Sequence, residues 1–347
     1  MCGITGKLNL NNQNNISLDE IQRMTNKLSH RGPDDSGIYT DKNLAMGFRR
    51  LSIIDLDSGH QPMIDKNKRY VITFNGEIYN YKELKKILKN KGYAFQTNSD
   101  TEVILNLYIE YKESCLQYLR GMFAFSIWDI KTKELFLCRD RLGIKPLFYY
   151  IDNENFTWSS EIKSLLSSNN INTDIAIESI DHYLAYGYTP IDQTIYTNIK
   201  KLLPGHYLLI NNRCNSEPKK YWDVKYNPDF SKTKEFWKDK IFKVLNDSVR
   251  LRMRSDVPLG TFLSGGIDSS IVTALMARNS ANPIKTFSLG FKEKKFNELE
   301  YAKEISKKYS TEHHEFILQP ESIDLLPKLV SMYDEPFSDS SAIPTYY

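Results

Sequence analysis

Apolar residues recur along this chain at two spacings, and the dominant spacing changes once. Over roughly the first two hundred positions, short apolar runs with the period of two expected of half-buried strands prevail. Gly3–Leu10 reads as the first strand, and Ala45–Phe48 and Tyr70–Phe74 as later ones. Met122–Trp128, Leu135–Cys138, Leu147–Tyr150 and Phe156–Trp158 then form an antiparallel-looking series, and Lys201–Ile210, divided by Pro204-Gly205, reads as a hairpin. A few helices interrupt these strands. Ser17 with Glu20 three residues later has the form of a capping box, opening a helix through Leu28. Asn80 is placed to cap Tyr81–Lys89, and Ser99 or Asp100 to open a helix running to Tyr111. His30–Gly37, with its Arg-Gly-Pro-Asp core, is turn chemistry.

The character changes after Asn211. Asn211–Lys234 is polar and broken by Pro218 and Pro228, which predicts a linker between a domain at 2–210 and another at 235–347. Glu235–Arg254 has helical spacing through Phe236, Ile241, Val244, Leu245 and Val249, and Pro258 ends that element. Strands at Leu259–Leu263, Ile284–Phe291 and His313–Ile317 then alternate with helices at Ser270–Arg278, Asn297–Tyr309 and Ile323–Tyr333. That alternation predicts a parallel, doubly wound sheet. Three strands are few for such a sheet, so the chain reads as cut within its second domain.

Composition narrows the classes. The 347 residues are 41% hydrophobic and 12% aromatic, enough for ordinary cores and against wholesale disorder. Lys+Arg 46 against Asp+Glu 43, without a dense basic block, argues against nucleic acid as the main partner. Cys2, Cys115, Cys138 and Cys214 form no Cys-x-x-Cys pair and no cluster with histidine, which suits a reducing cytoplasm and excludes a disulfide scaffold or zinc site. Neither a signal peptide nor a run of about 20 apolar residues is present, so no membrane role is expected.

Cys2 carries the sharpest chemistry. Removal of the initiator methionine would place its thiol beside a free α-amine, whose ordinary pKa of about 7.7–8.0 suits a base that converts thiol to thiolate. A second candidate is Leu263-Ser264-Gly265-Gly266-Ile267-Asp268-Ser269-Ser270, between a predicted strand and helix. Glycines allow close approach, hydroxyls donate, and the helix start offers unpaired N–H groups to a phosphate. Asp268 would repel that phosphate unless a cation intervened, which points to Mg²⁺. The segment is neither a P-loop nor Gly-x-Gly-x-x-Gly.

Ser264-Gly265-Gly266-Ile267-Asp268-Ser269 resembles the pyrophosphate loop of ATP pyrophosphatases. Together with the Cys2 start, the chain from Cys2 to Tyr347 resembles the glutamine-hydrolysing asparagine synthetases. The resemblance implies an α/β protein: an N-terminal-nucleophile αββα sandwich that hydrolyses glutamine, then an incomplete adenylating domain. By it, Cys2 is the nucleophile, and Asn75 and Gly76, in Phe74-Asn75-Gly76-Glu77-Ile78-Tyr79, form the oxyanion hole. Arg50 with the flanking Leu51 and Ile53 clamps the glutamine carboxylate. Glu77 adjoins the substrate, and Asp100 holds its ammonium, caps a helix, or does both.

Arg31-Gly32-Pro33-Asp34 also matches the family and reads as a structural turn around the pocket, whereas Arg49 is left on the surface. In the second domain, Leu263, Ser264, Gly265, Gly266, Asp268, Ser269 and Leu289 match ATP-binding positions, with Asp268 the candidate for Mg²⁺. Asp334-Glu335-Pro336 and Asp339-Ser340-Ser341 match a segment near the nucleotide and substrate. The implied reaction uses ATP and Mg²⁺ to adenylate the aspartate β-carboxylate and ammonia from glutamine to give asparagine, AMP and pyrophosphate. The expected partners are these small molecules, in the cytoplasm, and the resemblance allows a homodimer.

Alternatives stay open: another carboxylate acceptor, glutaminase activity alone if the truncation is genuine, or a scaffold without chemistry. The family's second nucleotide loop is not reached by Tyr347. The intact Cys2, Arg50, Asn75, Asp100 and Ser264–Ser269 argue against the scaffold.

Overall fold

A computed structural model describes residues 1–11, 15–211, 214–215, 217–292, 297–318, 322–339 and 341–347. They divide into two compact units, Met1–Val224 with Tyr333–Ser338, and Lys225–Met332 with Asp339–Tyr347. The first unit begins with β1 (Gly3–Asn9), α1 (Leu18–Asn26), β2 (Asp35–Asp41), β3 (Leu44–Arg50), β4 (Met63–Ile64) and β5 (Tyr70–Ile78). Helices α2 (Tyr81–Asn90) and α3 (Asp100–Tyr111) follow, then β6 (Gly121–Asp129), β7 (Glu134–Arg139), β8 (Phe148–Ile151) and β9 (Asn155–Ser159). It continues with α4 (Ile162–Leu165), α5 (Ile177–Tyr186), β10 (Ile199–Lys201), β11 (His206–Asn211), β12 (Cys214–Asn215) and β13 (Lys219–Lys220).

These strands build two antiparallel sheets. One runs β10-β8-β9-β1-β3-β2, and the other runs β12-β11-β7-β6-β5-β4 with β13 also on β11. Alternation along the strands sets the layers. On β6, Phe123, Phe125 and Ile127 join the core under α2 and α3, while Ala124 and Trp128 face the other sheet's Ile4, Leu8, Met46 and Phe48. On the far side, Ile21 and Met24 of α1 pack on Ala45 of β3. The result is an αββα sandwich.

β1 is buried along its whole length and sits between β9 and β3. Gly6 is required there, because a Cβ would lie 2.2 Å from Cζ2 of Trp158 across the strand pair. The strand's one cation, Lys7, meets Glu20 of α1 at 2.7 Å.

Three local readings change. Glu20 is drawn into the Lys7 pair and Ser17 makes no side-chain cap, so the expected capping box does not form. Asn80 does not cap α2 either. Its amide instead donates to the Tyr118 carbonyl and accepts from the Arg120 N–H. Lys201–Ile210 is not a hairpin: β10 pairs with β8 in one sheet and β11 with β7 in the other, so Pro204-Gly205 carries the chain between sheets. The turn reading of 30–37 stops short as well, because Asp35 already begins the edge strand β2.

Part of the predicted linker is paired: β12 and β13 both bond to β11, and the unit boundary falls after Val224. The second unit holds α6 (Lys234–Arg252), β14 (Gly260–Phe262), α7 (Ile267–Asn279), β15 (Lys285–Phe291), α8 (Leu299–Tyr309), β16 (Glu312–Leu318), α9 (Ser322–Tyr333) and α10 (Ala342–Tyr346). Tyr333, the last residue of α9, falls in the first unit. The Thr233 hydroxyl caps α6 by accepting from the Phe236 N–H at 3.2 Å. β14, β15 and β16 are parallel and adjacent in chain order, as expected where each crossover carries a helix. Val249 of α6 packs with Leu275 and Met276 of α7 beside Ile284.

Candidate active site

Cys2 stands one residue before β1, at an end of the strand that two neighbours hold in register. Its thiol donates to the Leu51 carbonyl at 3.6 Å and accepts from the Leu51 N–H at 3.5 Å. Burial pushes the thiol above its ordinary pKa, while the Leu51 bond and the N-terminal charge oppose that shift. The sulfur therefore rests protonated at neutral pH and needs a base. The α-amine, here on Met1, is held below its ordinary value chiefly by burial, with Arg31 and Lys145 adding repulsion. Both shifts favour a neutral amine beside a protonated thiol.

A cavity of ≈ 90 Å³ opens on this thiol, and it gathers the first-domain residues proposed from sequence: Cys2, Arg50, Leu51, Ile53, Asn75, Gly76, Glu77 and Asp100. Asn75 lies on β5 and is 1% exposed. Its amide oxygen and nitrogen are both buried without a hydrogen-bond partner. A buried, unsatisfied amide is costly, and one that lines a cavity is set to meet a ligand. Gly76 is fixed by close approach, since a Cβ there would lie 2.2 Å from the Met122 carbonyl oxygen of β6.

Arg50 ends β3 with its guanidinium turned onto the following loop. Nη1 donates to the Leu56 carbonyl at 3.2 Å, and Nη2 donates to those of Ile54 and Asp55. Gly59 leaves the room for it, because a Cβ there would come within 2.3 Å of Nη2. Asp100 opens α3 behind the Ser99 cap, and its carboxylate accepts from the Ile78 N–H at 2.9 Å. Burial pushes Asp100 up to about 7 against the pull of that N–H, and Glu77 raises it further. Glu77 is itself raised by burial, with Lys145 opposing.

Arg31, read from sequence as part of a structural turn, does more: it donates from Nε to the Cys2 carbonyl and from Nη1 to Glu161. Gln61 and Lys145 also line the cavity and were missed. Lys145 is buried, and its Nζ lies 3.2 Å from the Met1 sulfur. Arg49 bonds the Thr25 carbonyl and the Asn26 side chain.

In the second unit, β14 leads to Leu263 and the glycine turn before α7. The hydroxyls of Ser264 and Ser269 are 3.1 Å apart, and Ser264 Oγ accepts from the Gly266 N–H at 3.3 Å. Gly265 has φ +85° and packs on Tyr301 and Ala302. Leu263, Ser264 and Leu289 line a cavity of ≈ 1130 Å³ with Phe287 and Tyr346, whereas Gly265, Gly266, Asp268 and Ser269 are not in its wall. Asp268 is exposed in the first turn of α7. Among the described residues no cluster of three or more His, Cys, Asp or Glu is arranged to hold a metal ion.

Asp334 and Glu335, expected near the nucleotide, are engaged in the first unit. Asp334 meets Lys163 at 3.1 Å, and Glu335 meets Lys201 at 3.4 Å and accepts from the Thr189 hydroxyl at 2.9 Å. Two basic side chains there supply the charge that draws them. Asp339 accepts from the Ser341 N–H, and Ser340 lies outside the described residues.

Comparisons with known proteins cover both units. Residues 1–222 match the glutamine amidotransferase domain family, and residues 240–347 match the asparagine synthase family. Asparagine synthetase (glutamine-hydrolysing) 1 of Bacillus subtilis is 40% identical over the full chain, which covers 55% of that protein. A Methanocaldococcus jannaschii protein, provisionally named glutamine-hydrolysing asparagine synthetase 2, is 39% identical over the full chain, which covers 70% of it. The chain thus spans about half the length of the Bacillus relative. Among solved structures, the glutamine phosphoribosylpyrophosphate amidotransferase of B. subtilis aligns with 94% of this chain and 70% of its own, at TM-score 0.46 and 18% identity.

Proposed function

We propose that this chain, which belongs to the glutamine-hydrolysing asparagine synthetases, releases ammonia from glutamine at Cys2 and uses it in an ATP-dependent synthesis of asparagine from aspartate. The observation that carries the reading is the convergence of the Cys2 thiol and the unpartnered Asn75 amide on one cavity that Asp100 also lines. With Met1 removed, the amine of Cys2 takes the thiol proton as Sγ attacks the side-chain carbonyl carbon of glutamine. The Asn75 amide and the Gly76 N–H receive the oxyanion, each such donor being worth about 3 kcal/mol. The protonated amine returns its proton as the C–N bond breaks and ammonia leaves. Water then attacks the thioester, its proton passing to the amine. The C–S bond breaks, and glutamate and the thiol are restored. Arg50 and Asp100 hold the carboxylate and ammonium of the substrate.

In the second unit, the Ser264–Ser269 turn and the start of α7 are suited to the phosphates of ATP, with the nucleoside in the adjoining apolar cavity. Asp268, exposed beside that turn, offers the hard oxygens Mg²⁺ prefers, and the ion would neutralise pyrophosphate as it forms. Ammonia displaces AMP from the aspartyl adenylate to give asparagine. The cysteines Cys2, Cys115 and Cys138 are free, which supports a cytoplasmic setting.

The test is to incubate the chain with amide-¹⁵N glutamine, Mg-ATP and aspartate and follow the label by NMR. Release as ammonium or transfer into asparagine supports the glutaminase, and transfer also supports the synthetase. Label retained in glutamine, with Cys2 verified as the free N-terminus, overturns the reading.

A further inference from the structure

Gln61 plays no part in the steps above, yet it lies in the wall of the cavity and is only 4% exposed. Its side-chain amide joins two elements that each carry proposed substrate contacts. Oε1 accepts from the Phe74 N–H of β5 at 2.6 Å, one residue before Asn75. Nε2 donates to the Thr101 hydroxyl of α3 at 3.1 Å, one residue after Asp100. The orientation of the amide follows from chemistry, because a backbone N–H can only donate and must face the oxygen.

The sheet explains why a side chain is needed there. β4 pairs with β5 only at Val71 and Ile72, so no β4 residue pairs with Phe74 on that edge. The Gln61 carbonyl supplies the missing acceptor. Its backbone is confined as well, since a Cβ on Gly37 of β2 would lie 2.1 Å from the Gln61 carbonyl oxygen.

We propose that Gln61 is a positioning residue that sets the distance between the oxyanion donors on β5 and the ammonium acceptor on α3, and so selects the length of the amino-acid amide that is cleaved. This rests on the glutaminase reading of the same cavity. Glutamine and asparagine carry the same end groups and differ by one methylene, so a pocket separates them only if its two ends are held apart at a fixed span. A single amide that accepts from one element and donates to the other does this. Methionine in its place fills similar volume and makes neither bond.

The experiment compares wild type, Gln61→Met and Thr101→Val for ammonia release from L-glutamine and from L-asparagine. Cys2 alkylation by a diazoketone analogue of glutamine and by iodoacetamide is followed in parallel. Gln61→Met should raise KM for glutamine about tenfold with kcat within about threefold, and should lower the preference for glutamine over asparagine about tenfold. The analogue should react more slowly while iodoacetamide keeps its rate. Thr101→Val, which keeps the Phe74 bond, should shift the same quantities in the same direction by less, and serves if Gln61→Met does not fold. Unchanged KM and unchanged preference in folded variants would overturn the proposal while leaving the glutaminase intact. A wild-type chain that spares glutamine would overturn both.

Discussion

The guanidinium of Arg31 donates from Nε to the carbonyl oxygen of Cys2 at 2.9 Å and from Nη1 to Glu161 at 2.7 Å. The peptide that bears the proposed nucleophile is thereby held by an arginine that is 9% exposed and itself anchored by a carboxylate. Glu161 is drawn down to about 2 by His30, Lys163 and Arg31, against burial as the largest opposing influence, and stays ionised. Arg31→Lys keeps the charge and loses the planar fork. It should lower kcat about tenfold or more with little change in KM for glutamine, as expected when a charge-assisted bond to the backbone carbonyl of the proposed nucleophile is lost. Steady-state kinetics checks this.

Asp100 should make glutamine binding dependent on pH. Burial holds it at about 7, so below that pH the free site carries a protonated carboxyl, whereas a bound ammonium requires the ionised form. KM should fall as pH rises through 7, and binding near pH 6.5 to 7 should release a proton. Calorimetry in buffers of different ionisation enthalpy counts that proton. The sign for folding is opposite: the raised acid favours the folded state at low pH, and this contribution fades as pH climbs from about 4 to about 7. Asp100→Asn should abolish the proton release.

Lys7 and Glu20 form a buried pair, with side chains 7% and 6% exposed. Glu20 is held below its ordinary value by the Lys7, Ser168 and Asn169 bonds, which outweigh burial as the largest single influence. Its contribution is therefore present above the unfolded pKa and is lost as pH falls through the lower folded value. Glu20→Gln should destabilise the first unit by about 3–5 kcal/mol, because it leaves the buried Lys7 charge without a counter-charge. Lys7→Met with Glu20→Leu should recover most of that loss in urea denaturation.

Gly265 should be essential to the second unit alone. Its φ of +85° disfavours any side chain, and a Cβ would lie 2.5 Å from Cβ of Tyr301. Gly265→Ala should weaken Mg-ATP binding, read as a smaller thermal shift, and leave glutamine hydrolysis unchanged. Equal loss of both would contradict separate sites.

Features with local causes were legible in the sequence. Gly3–Leu10, the Ser99 cap before Asp100 and the strand–turn–helix around Gly265-Gly266 each follow from residues within a few positions of one another. The alternation of strands and helices in the second unit likewise announced a parallel sheet. Where a distant partner decided, the pattern misled. Glu20 matched a capping box until Lys7 claimed it. Lys201–Ile210 has the periodicity of a hairpin, and nothing local says that its halves join different sheets. Asp35–Asp41 is too polar to announce a strand because it lies at a sheet edge. The roles of Arg31 and Gln61 rest on contacts with residues 29 and 40 positions away, beyond any motif window.

The placing of β1 in mid-sheet also fixes a timetable. Cys2 and its strand leave the ribosome well before β9 is made, yet Thr5 pairs with Ser159 and Gly6 with Trp158. One flank of β1 can be covered when β3 emerges, but the other stays open until β9 has been made. Cys2 is thus synthesised well before one flank of its strand can be covered. Throughout that interval its thiol is open to oxidants.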